Sequence, residues 1–459
     1  MEKPIFRDFL SRFDSQGRLS CECGAVHAIS TRHVVAEAGA LQRGASLLAR
    51  ERGTAVTIWV LSDENTEHIA GAQWKARLKA GRVLSRILPA EPRPVPSVEL
   101  VDELAGEVRA GSPDLLISVG SGVISDVVKK VSLETGVANW CVATAGSVDA
   151  FTSATASIHI GGFHNSVPAR VSEAVICDLE VIEKAPREMV LAGLGDLLAK
   201  FIAQLDWNLS RIMTGEHFCP VISGYSMESA HAALSAARRL QGNRREAAAT
   251  LTDAVLTSGF AMQAMGSSRP AASVEHTIAH LWEIADAVPV ERLDLHGILV
   301  GVASWMVLGG YQAFYKSLAE SRPETKQRLH IFDSEKPWQE IEPALQPFSE
   351  KVHTEMSTRK FDRQTLSERL QRFEASRRVI LDLALPAVQE LASGVEVLET
   401  LGFPFSPVQL GISTALCLLP CRNVRLLRSR YSTFDLAYEL GMEDQIYNRI
   451  EQCVLAGYK

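Results

Sequence analysis

The chain has 459 residues, of which 46% are hydrophobic and 22% charged, and its formal net charge is −7. This is the balance of a folded globular protein with room for two or three domains, and it leaves no general basic field for nucleic acid. The opening MEKPIFRDFL lacks the apolar core of a secretory signal, and no run of roughly eighteen apolar residues stands out, so no membrane partner is expected and the cytoplasm is the expected compartment.

Eight cysteines in a chain this long are not a disulfide framework. Cys21 and Cys23 lie close together in CECG, and Cys417 and Cys421 form a second close pair. Neither pair has the two-residue gap of a zinc knuckle, so inert or buried thiols are the expected reading.

In chain order, TRHVVAEAGALQRGASLLARER (31–52) has a helical pattern, and TAVTIWVLSD (54–63) is an apolar, β-branched run ending on an acid. DLLISVGSG (114–122) is a short apolar run breaking into glycines, followed by the helical ISDVVKKVSLET (124–135). VANWCVATAGS (137–147) and EAVICDLEVI (173–182) repeat the strand theme. Strands alternating with helices predict a parallel sheet covered on both faces, with ligands at the carboxyl ends of the strands. From about Ala185 the composition turns to Ala, Leu, Glu and Arg. The expected division is therefore an α/β nucleotide-binding domain over 1–184 and an all-α domain over 185–459. The charged stretch 317–376 reads as an insertion or loop between helices.

SVGSGVISDVVKK runs strand, G-S-G, helix, which brings backbone close to a phosphate and offers the free N–H groups of a helix start. A plain tight turn is the rival reading, because the G-x-G-x-x-G fingerprint is incomplete at Ser125. Asp63, ending an earlier strand, suits a ribose hydroxyl, and TAGSVDAFTSAT (144–155) offers small hydroxyl residues for close cofactor contact.

His276 and His280 share a helix face at a spacing of four, and His296 follows a turn-like stretch over Pro289–Asp294. Such a pair alone is more often structural than a metal site. It is not H-E-x-x-H, because Thr277 occupies the base position and Glu275 lies outside the pair. Asp196, early in a glycine-punctuated helical segment, adds a carboxylate. One acid and two imidazoles would leave coordination positions open, as a catalytic ion requires. Lys200, one turn beyond, suits an acid partner or an anionic substrate. The arginines at 422, 425, 428 and 430 read as one helix face, solvated or in contact with another subunit.

Taken together, SSRPAASVEHTIAHLWE, DLHGILVGV, GLGDLLAKFIAQLDW, TAGSVDAFTSA and RSRYSTFDLAYELG resemble the sn-glycerol-1-phosphate dehydrogenase family. That family belongs to the superfamily of iron-containing alcohol dehydrogenases, glycerol dehydrogenases and dehydroquinate synthase. The resemblance covers most of the chain and implies an active site in the cleft between the two domains. It implies one divalent ion (Zn, Ni or Fe) held at Asp196, His276 and His296, and NAD or NADP as cofactor. It places Gly120, Ser121, Gly122 and Asp126 at the pyrophosphate, Asp63, Asn65 and Thr66 near the adenosine, and Thr144, Ser147, Ser153 and Thr155 along the adenine or nicotinamide. Asp149 would orient substrate hydroxyls, His280 would relay a proton near an ordinary pKa of about 6.5, with water as the rival, and Arg269 and Lys200 would meet the substrate phosphate. A homo-oligomer is expected.

The chain departs from the family pattern at Val123, where threonine is usual, at His164 in GGFHNSVPAR, where lysine is usual, and at Val274, where glycine is usual. The expected reaction interconverts dihydroxyacetone phosphate and sn-glycerol 1-phosphate. Another polyol, polyol phosphate or phosphonate, a lyase of the dehydroquinate synthase type, and a silent nucleotide-binding relative are the alternatives.

Overall fold

The computed structural model describes residues 3–160, 163–284, 295–324 and 362–456. The chain divides into two compact units, Met1–Leu197 with Val221–Pro270, and Leu198–Pro220 with Ala271–Lys459.

The first unit is built on a parallel sheet. Its strands, with two flanking hairpins, are β1 (Arg18–Ser20), β2 (Val26–Ala28), β3 (His33–Glu37), β4 (Thr57–Asp63), β5 (Arg82–Leu88), β6 (Leu115–Gly120), β7 (Asn139–Ala143), β8 (Thr155–Ile160), β9 (Phe163–Pro168) and β10 (Ala174–Asp178). The sheet order is β3-β10-β7-β6-β4-β5, every pair parallel, while β1–β2 and β8–β9 are antiparallel hairpins. Its longer helices are α1 (Ala40–Arg52), α2 (Val98–Gly111), α3 (Gly122–Thr135), α4 (Arg187–Leu198), and, after an excursion of the chain into the second unit, α6 (Pro220–Arg239, within this unit from Val221) and α7 (Arg244–Met265).

Strand period explains the two cores. On β4, Ile58 and Val60 face one core with Leu48, Trp74 and Trp140, while Trp59 and Leu61 face the other with Leu104, Val108 and Val127. A strand buried on both faces must be apolar at successive positions, which is why TIWVL reads as a continuous run. Each such side chain contributes roughly 1.5–3 kcal/mol on burial.

The second unit is helical: α5 (Lys200–Thr214), α8 (Val274–Ile284), α9 (His296–Glu320), α10 (Arg363–Thr400), α11 (Thr414–Leu427), α12 (Thr433–Leu440) and α13 (Glu443–Ala456). Among the described residues α9 is the one helix long and apolar enough to cross a membrane, a feature the sequence reading overlooked; 83% of that stretch is buried, so it is the axis of this unit's core.

Three expectations are corrected. The supposed helix 31–52 begins as strand β3, because Val34-Val35 favours extended backbone, and the helix starts only after Gly39, whose φ is +72°. The units do not separate at a single cut near 184, because α4, α6 and α7 pack with the α/β unit; composition registers helix content, not the core a helix joins. The ends of 317–376 are helical, in α9 and α10, and 325–361 lie outside the described residues.

Candidate functional site

In the first unit the chain runs from β4 out to β5 and then returns to β6 on the other side of β4. That reversal makes the carboxyl ends of β4 and β6 a topological switch point, where an α/β sheet opens a crevice for a ligand. β4 ends on Asp63 and β6 on Gly120. Asp63 caps the short turn Glu64–Thr66: Thr66 N–H donates to Asp63 Oδ1 at 2.8 Å and Thr66 Oγ1 accepts from Asp63 N–H at 3.0 Å. Asn65 between them is exposed.

Ser121 stands at the N-cap of α3 but lends its first N–H groups no side-chain oxygen. Its hydroxyl pairs instead with that of Ser147 in a short hydrogen bond. Thr144 N–H donates to Gly120 C=O at 3.1 Å. The glycine-turn and hydroxyl-rich segments named from sequence are thus held side by side, with the start of α3 beside them. Val123 contributes no hydroxyl there.

Lys129, on α3, has no exposed surface and organises this region. Its ammonium donates to Asp126 Oδ1 at 3.1 Å, Ala150 C=O at 2.8 Å, Ser153 Oγ at 3.2 Å and Thr155 C=O at 2.5 Å. The second oxygen of Asp126 accepts from Ser157 N–H at 2.9 Å. Asp126 and Ser153 are therefore occupied in fixing the loop after β7, a role the sequence reading did not assign. Lys129 was missed because an ordinary K-K pair on a helix reads as solvated; its partners lie up to 26 positions away.

The same loop carries Asp149. Its N–H donates to Asp196 Oδ2 at 3.3 Å, and its Oδ2 accepts from Ser258 Oγ of α7 at 2.7 Å. Two glycines permit that approach. A Cβ on Gly193 would stand 1.9 Å from Gly146 O, and one on Gly259 would stand 2.2 Å from Thr152 Oγ1 and 2.3 Å from Asp149 O. Asp196 sits in the last turn of α4, not early in its helix, and the helix breaks at Ala199 before Lys200 begins α5. Asp196 is 2% exposed, Arg269 3% and Lys200 0%.

In the second unit the histidines converge. Ring centroids of His276 and His296 are 5.5 Å apart, those of His280 and His296 5.0 Å and nearly parallel, and those of His276 and His280 6.4 Å. Each Nδ1 meets a buried carboxylate: His276 to Glu275 Oε1 at 2.8 Å, His280 to Glu283 Oε2 at 3.0 Å and His296 to Glu283 Oε1 at 2.7 Å. A carboxylate accepting at Nδ1 puts the proton there and leaves Nε2 as the lone-pair donor, the pattern that orients metal-binding imidazoles. His280, Glu283 and His296 also group as a possible ligand set. Because both Glu283 oxygens are engaged by Nδ1 atoms, its role is to hold the two rings.

Burial would raise the Glu283 carboxyl, but His296 and His280 beside it hold it well below its ordinary value. Burial pushes His280 down to about 3 against the weaker pull of Glu283, so it is neutral at physiological pH. The ordinary pKa expected for a proton relay does not hold. Glu275 is fully buried; its Oε1 also accepts from Ser273 N–H at 2.8 Å, while Oε2 has no hydrogen-bond partner among the described residues, an orphan acceptor that favours a cation nearby.

Asp206, also fully buried, supports the start of α8. It accepts from Ser273 Oγ at 2.6 Å, Tyr311 Oη at 2.9 Å and Thr433 N–H at 3.0 Å. The arginines do not form one solvated face. Arg425 lies over the Tyr438 ring at 3.6 Å, Arg430 donates to Ala272 C=O at 3.1 Å, and the charge of Arg428 is felt by His280. Glu283 was missed although its spacing of three from His280 was a usable signal.

Residues 35–186 match the family described as iron-containing alcohol dehydrogenase. The chain is 33% identical over 325 residues to the glycerol-1-phosphate dehydrogenase [NAD(P)+] of Halalkalibacterium halodurans, covering 67% of this chain and 76% of the relative. It is 28% identical over 385 residues to the enzyme of that name from Geobacillus thermodenitrificans, covering 83% and 86%. Its fold is that of glycerol dehydrogenase from Schizosaccharomyces pombe, with a TM-score of 0.57, 19% identity, and coverage of 94% of this chain and 90% of that one.

Proposed function

Because this chain belongs to the glycerol-1-phosphate dehydrogenase family of the iron-containing alcohol dehydrogenases, we propose that it interconverts dihydroxyacetone phosphate and sn-glycerol 1-phosphate. It is an oxidoreductase using NAD(P) and a divalent metal. The observation that supports metal-dependent chemistry most is the set of three imidazoles whose Nδ1 atoms are fixed by buried carboxylates.

His276 and His296 would hold the ion through Nε2, with Asp196 as the third ligand. The donor set suits Zn, Ni or Fe. When bound, the ion lowers the cost of charge on a carbonyl oxygen and the nicotinamide supplies the hydride. Asp149, braced by Ser258, orients the substrate hydroxyls. His280, neutral with its proton on Nδ1, presents Nε2 to accept a hydrogen bond from the substrate hydroxyl, and the proton passes to water in oxidation and returns from water in reduction. The turn Gly120–Gly122 and the start of α3 take the pyrophosphate, with Thr144 and Ser147 beside it. Arg428 joins Arg269 and Lys200 as a candidate cation for the substrate phosphate.

The test is NADH and NADPH oxidation by purified protein loaded with Zn²⁺, Ni²⁺ or Fe²⁺ and given dihydroxyacetone phosphate. Absence of turnover with every metal sinks the proposal. A loss of about one equivalent of metal per chain in Asp196→Ala supports the ligand set. A second reading, an unphosphorylated polyol as substrate, is favoured by His164 standing where the family has a permanent cation. A higher kcat/KM for dihydroxyacetone than for its phosphate would select it.

A further inference from the structure

We propose that the β1–β2 hairpin is a second, structural metal site, in which Cys21, Cys23 and His27 bind Zn²⁺. The spacing C-x-C-x-x-x-H gave no such signal, because the familiar knuckle needs two residues between its cysteines. Geometry supplies what spacing did not. One ligand atom from each of Cys21, Cys23 and His27 falls within 4.8 Å of the others. Cys23 Sγ is 3.2 Å from His27 Nε2. Ligand atoms around a tetrahedral zinc stand roughly 3.5–3.8 Å apart, so closure onto an ion needs only small side-chain movements.

The backbone prepares the thiols. Gly24 N–H donates to Cys21 C=O at 3.0 Å, and Cys21 N–H donates to Ala25 C=O at 3.0 Å. Gly24 turns the loop with φ +86°. This tight turn brings both sulfurs to the same end of the hairpin as His27.

The imidazole is set for the same purpose. His27 is 4% exposed, and its Nδ1 is 3.1 Å from Ala264 C=O near the end of α7. A carbonyl can only accept, so Nδ1 carries the proton and Nε2 presents its lone pair toward Cys23. A ligand histidine whose second nitrogen donates to a backbone carbonyl is the usual outer-shell arrangement at zinc.

The hairpin also needs such a clamp. Each strand has three residues, and of the six only His27 is buried. An isolated two-stranded ribbon with so little apolar burial is marginal by itself. Binding displaces a proton from each thiol and leaves thiolates, which are soft donors that favour Zn²⁺ over Mg²⁺ or Ca²⁺. Cys21, Cys23 and His27 supply three of the four ligands of a tetrahedral zinc. The site makes no use of the residues proposed for hydride transfer.

Two measurements test this on the full-length protein. In the first, Co²⁺ replaces the resident metal, and the thiolate-to-cobalt charge-transfer absorption is recorded. The band is expected in the unmodified protein and in Asp196→Asn, and it is lost in Cys21→Ser/Cys23→Ser. Its presence in Asp196→Asn separates this site from the one proposed for catalysis, so failure of either leaves the other standing. The second needs no variant and covers the case in which the double substitution does not fold. Alkylation of Cys21 and Cys23 is followed by peptide mass spectrometry with Zn²⁺ bound and after chelation. Labelling is expected to slow at least tenfold with zinc. Absence of the charge-transfer band from the unmodified protein, equal labelling in both states, or a Cys21–Cys23 disulfide overturns the proposal.

Discussion

The two units place their functional atoms by different means. In the first, backbone does most of the placing: a strand end, a glycine turn and a helix start lie at a switch point, and buried side chains such as Lys129 keep the neighbouring loop in register. In the second, side chains are placed by other side chains, with Glu275 and Glu283 fixing the tautomers of three histidines. A site built from backbone tolerates changes in the side chains lining it and fails when its supports are removed. A site built from imidazole nitrogens fails one atom at a time.

The largest expected effect tests the second unit. His296→Ala removes a proposed ligand and a partner of Glu283. Several kcal/mol of charge stabilisation disappear with the ion, so kcat/KM should fall on the order of 10³-fold and bound metal should fall by about one equivalent per chain. Retention of both metal and turnover would break the contrast between the units, because an imidazole would then be dispensable.

Next comes the support of the first unit. Lys129→Met takes the cation from four oxygen partners and leaves Asp126 buried against Ser157. Removing one member of a buried ion pair costs about 3–5 kcal/mol. Denaturation should show a loss of that size, together with a raised KM for NAD(P)H, while metal content stays unchanged. A variant as stable as the parent would mean that the loop is held by packing alone.

Glu283→Gln then sharpens the argument about tautomers. The carboxylate accepts from two Nδ1–H groups; an amide accepts at its oxygen and presents NH₂ to the other ring. One histidine must turn its proton to Nε2, where the lone pair is needed. Metal affinity should fall about 10–100-fold. Glu275→Gln is the control, because an amide oxygen at the Oε1 position can still accept from both His276 and Ser273 N–H. Equal losses of metal affinity in the two variants would count against tautomer control.

The same contrast explains what was legible in the sequence. The strands of the sheet could be read because burial on both faces makes TIWVL and LLISV continuous apolar runs, and the glycine turn could be read because strand end, G-S-G and helix start are adjacent in the chain. The histidines were visible as candidates by spacing. Their carboxylate partners were less so: Glu283 is close in sequence to His280, but its second bond reaches His296, thirteen positions on. Lys129, Asp206 and the Cys21–Cys23–His27 hairpin were missed for a related reason. Their meaning lies in partners such as Thr155, Thr433 and Ala264, which only tertiary folding brings near. Strand β3 was missed because its five residues run directly into a strong helical pattern.

The smallest expected effect concerns the side chain that ends a strand of the backbone-built site. Asp63 ends β4 at the switch point, where a carboxylate accepts from a ribose 2′-hydroxyl and repels a 2′-phosphate. The same side chain caps the turn Glu64–Thr66. Asp63→Ser separates these roles, since a serine hydroxyl can accept from Thr66 N–H while the charge is gone. The ratio of kcat/KM for NADPH over NADH should rise roughly tenfold, the scale of one charge-assisted hydrogen bond, with the denaturation midpoint nearly unchanged. Asp63→Ala should shift the cofactor ratio equally but lose about 1 kcal/mol of stability with the cap. If Asp63→Ser leaves the ratio untouched, the adenosine end is read by backbone alone, and the contrast between the two units becomes complete.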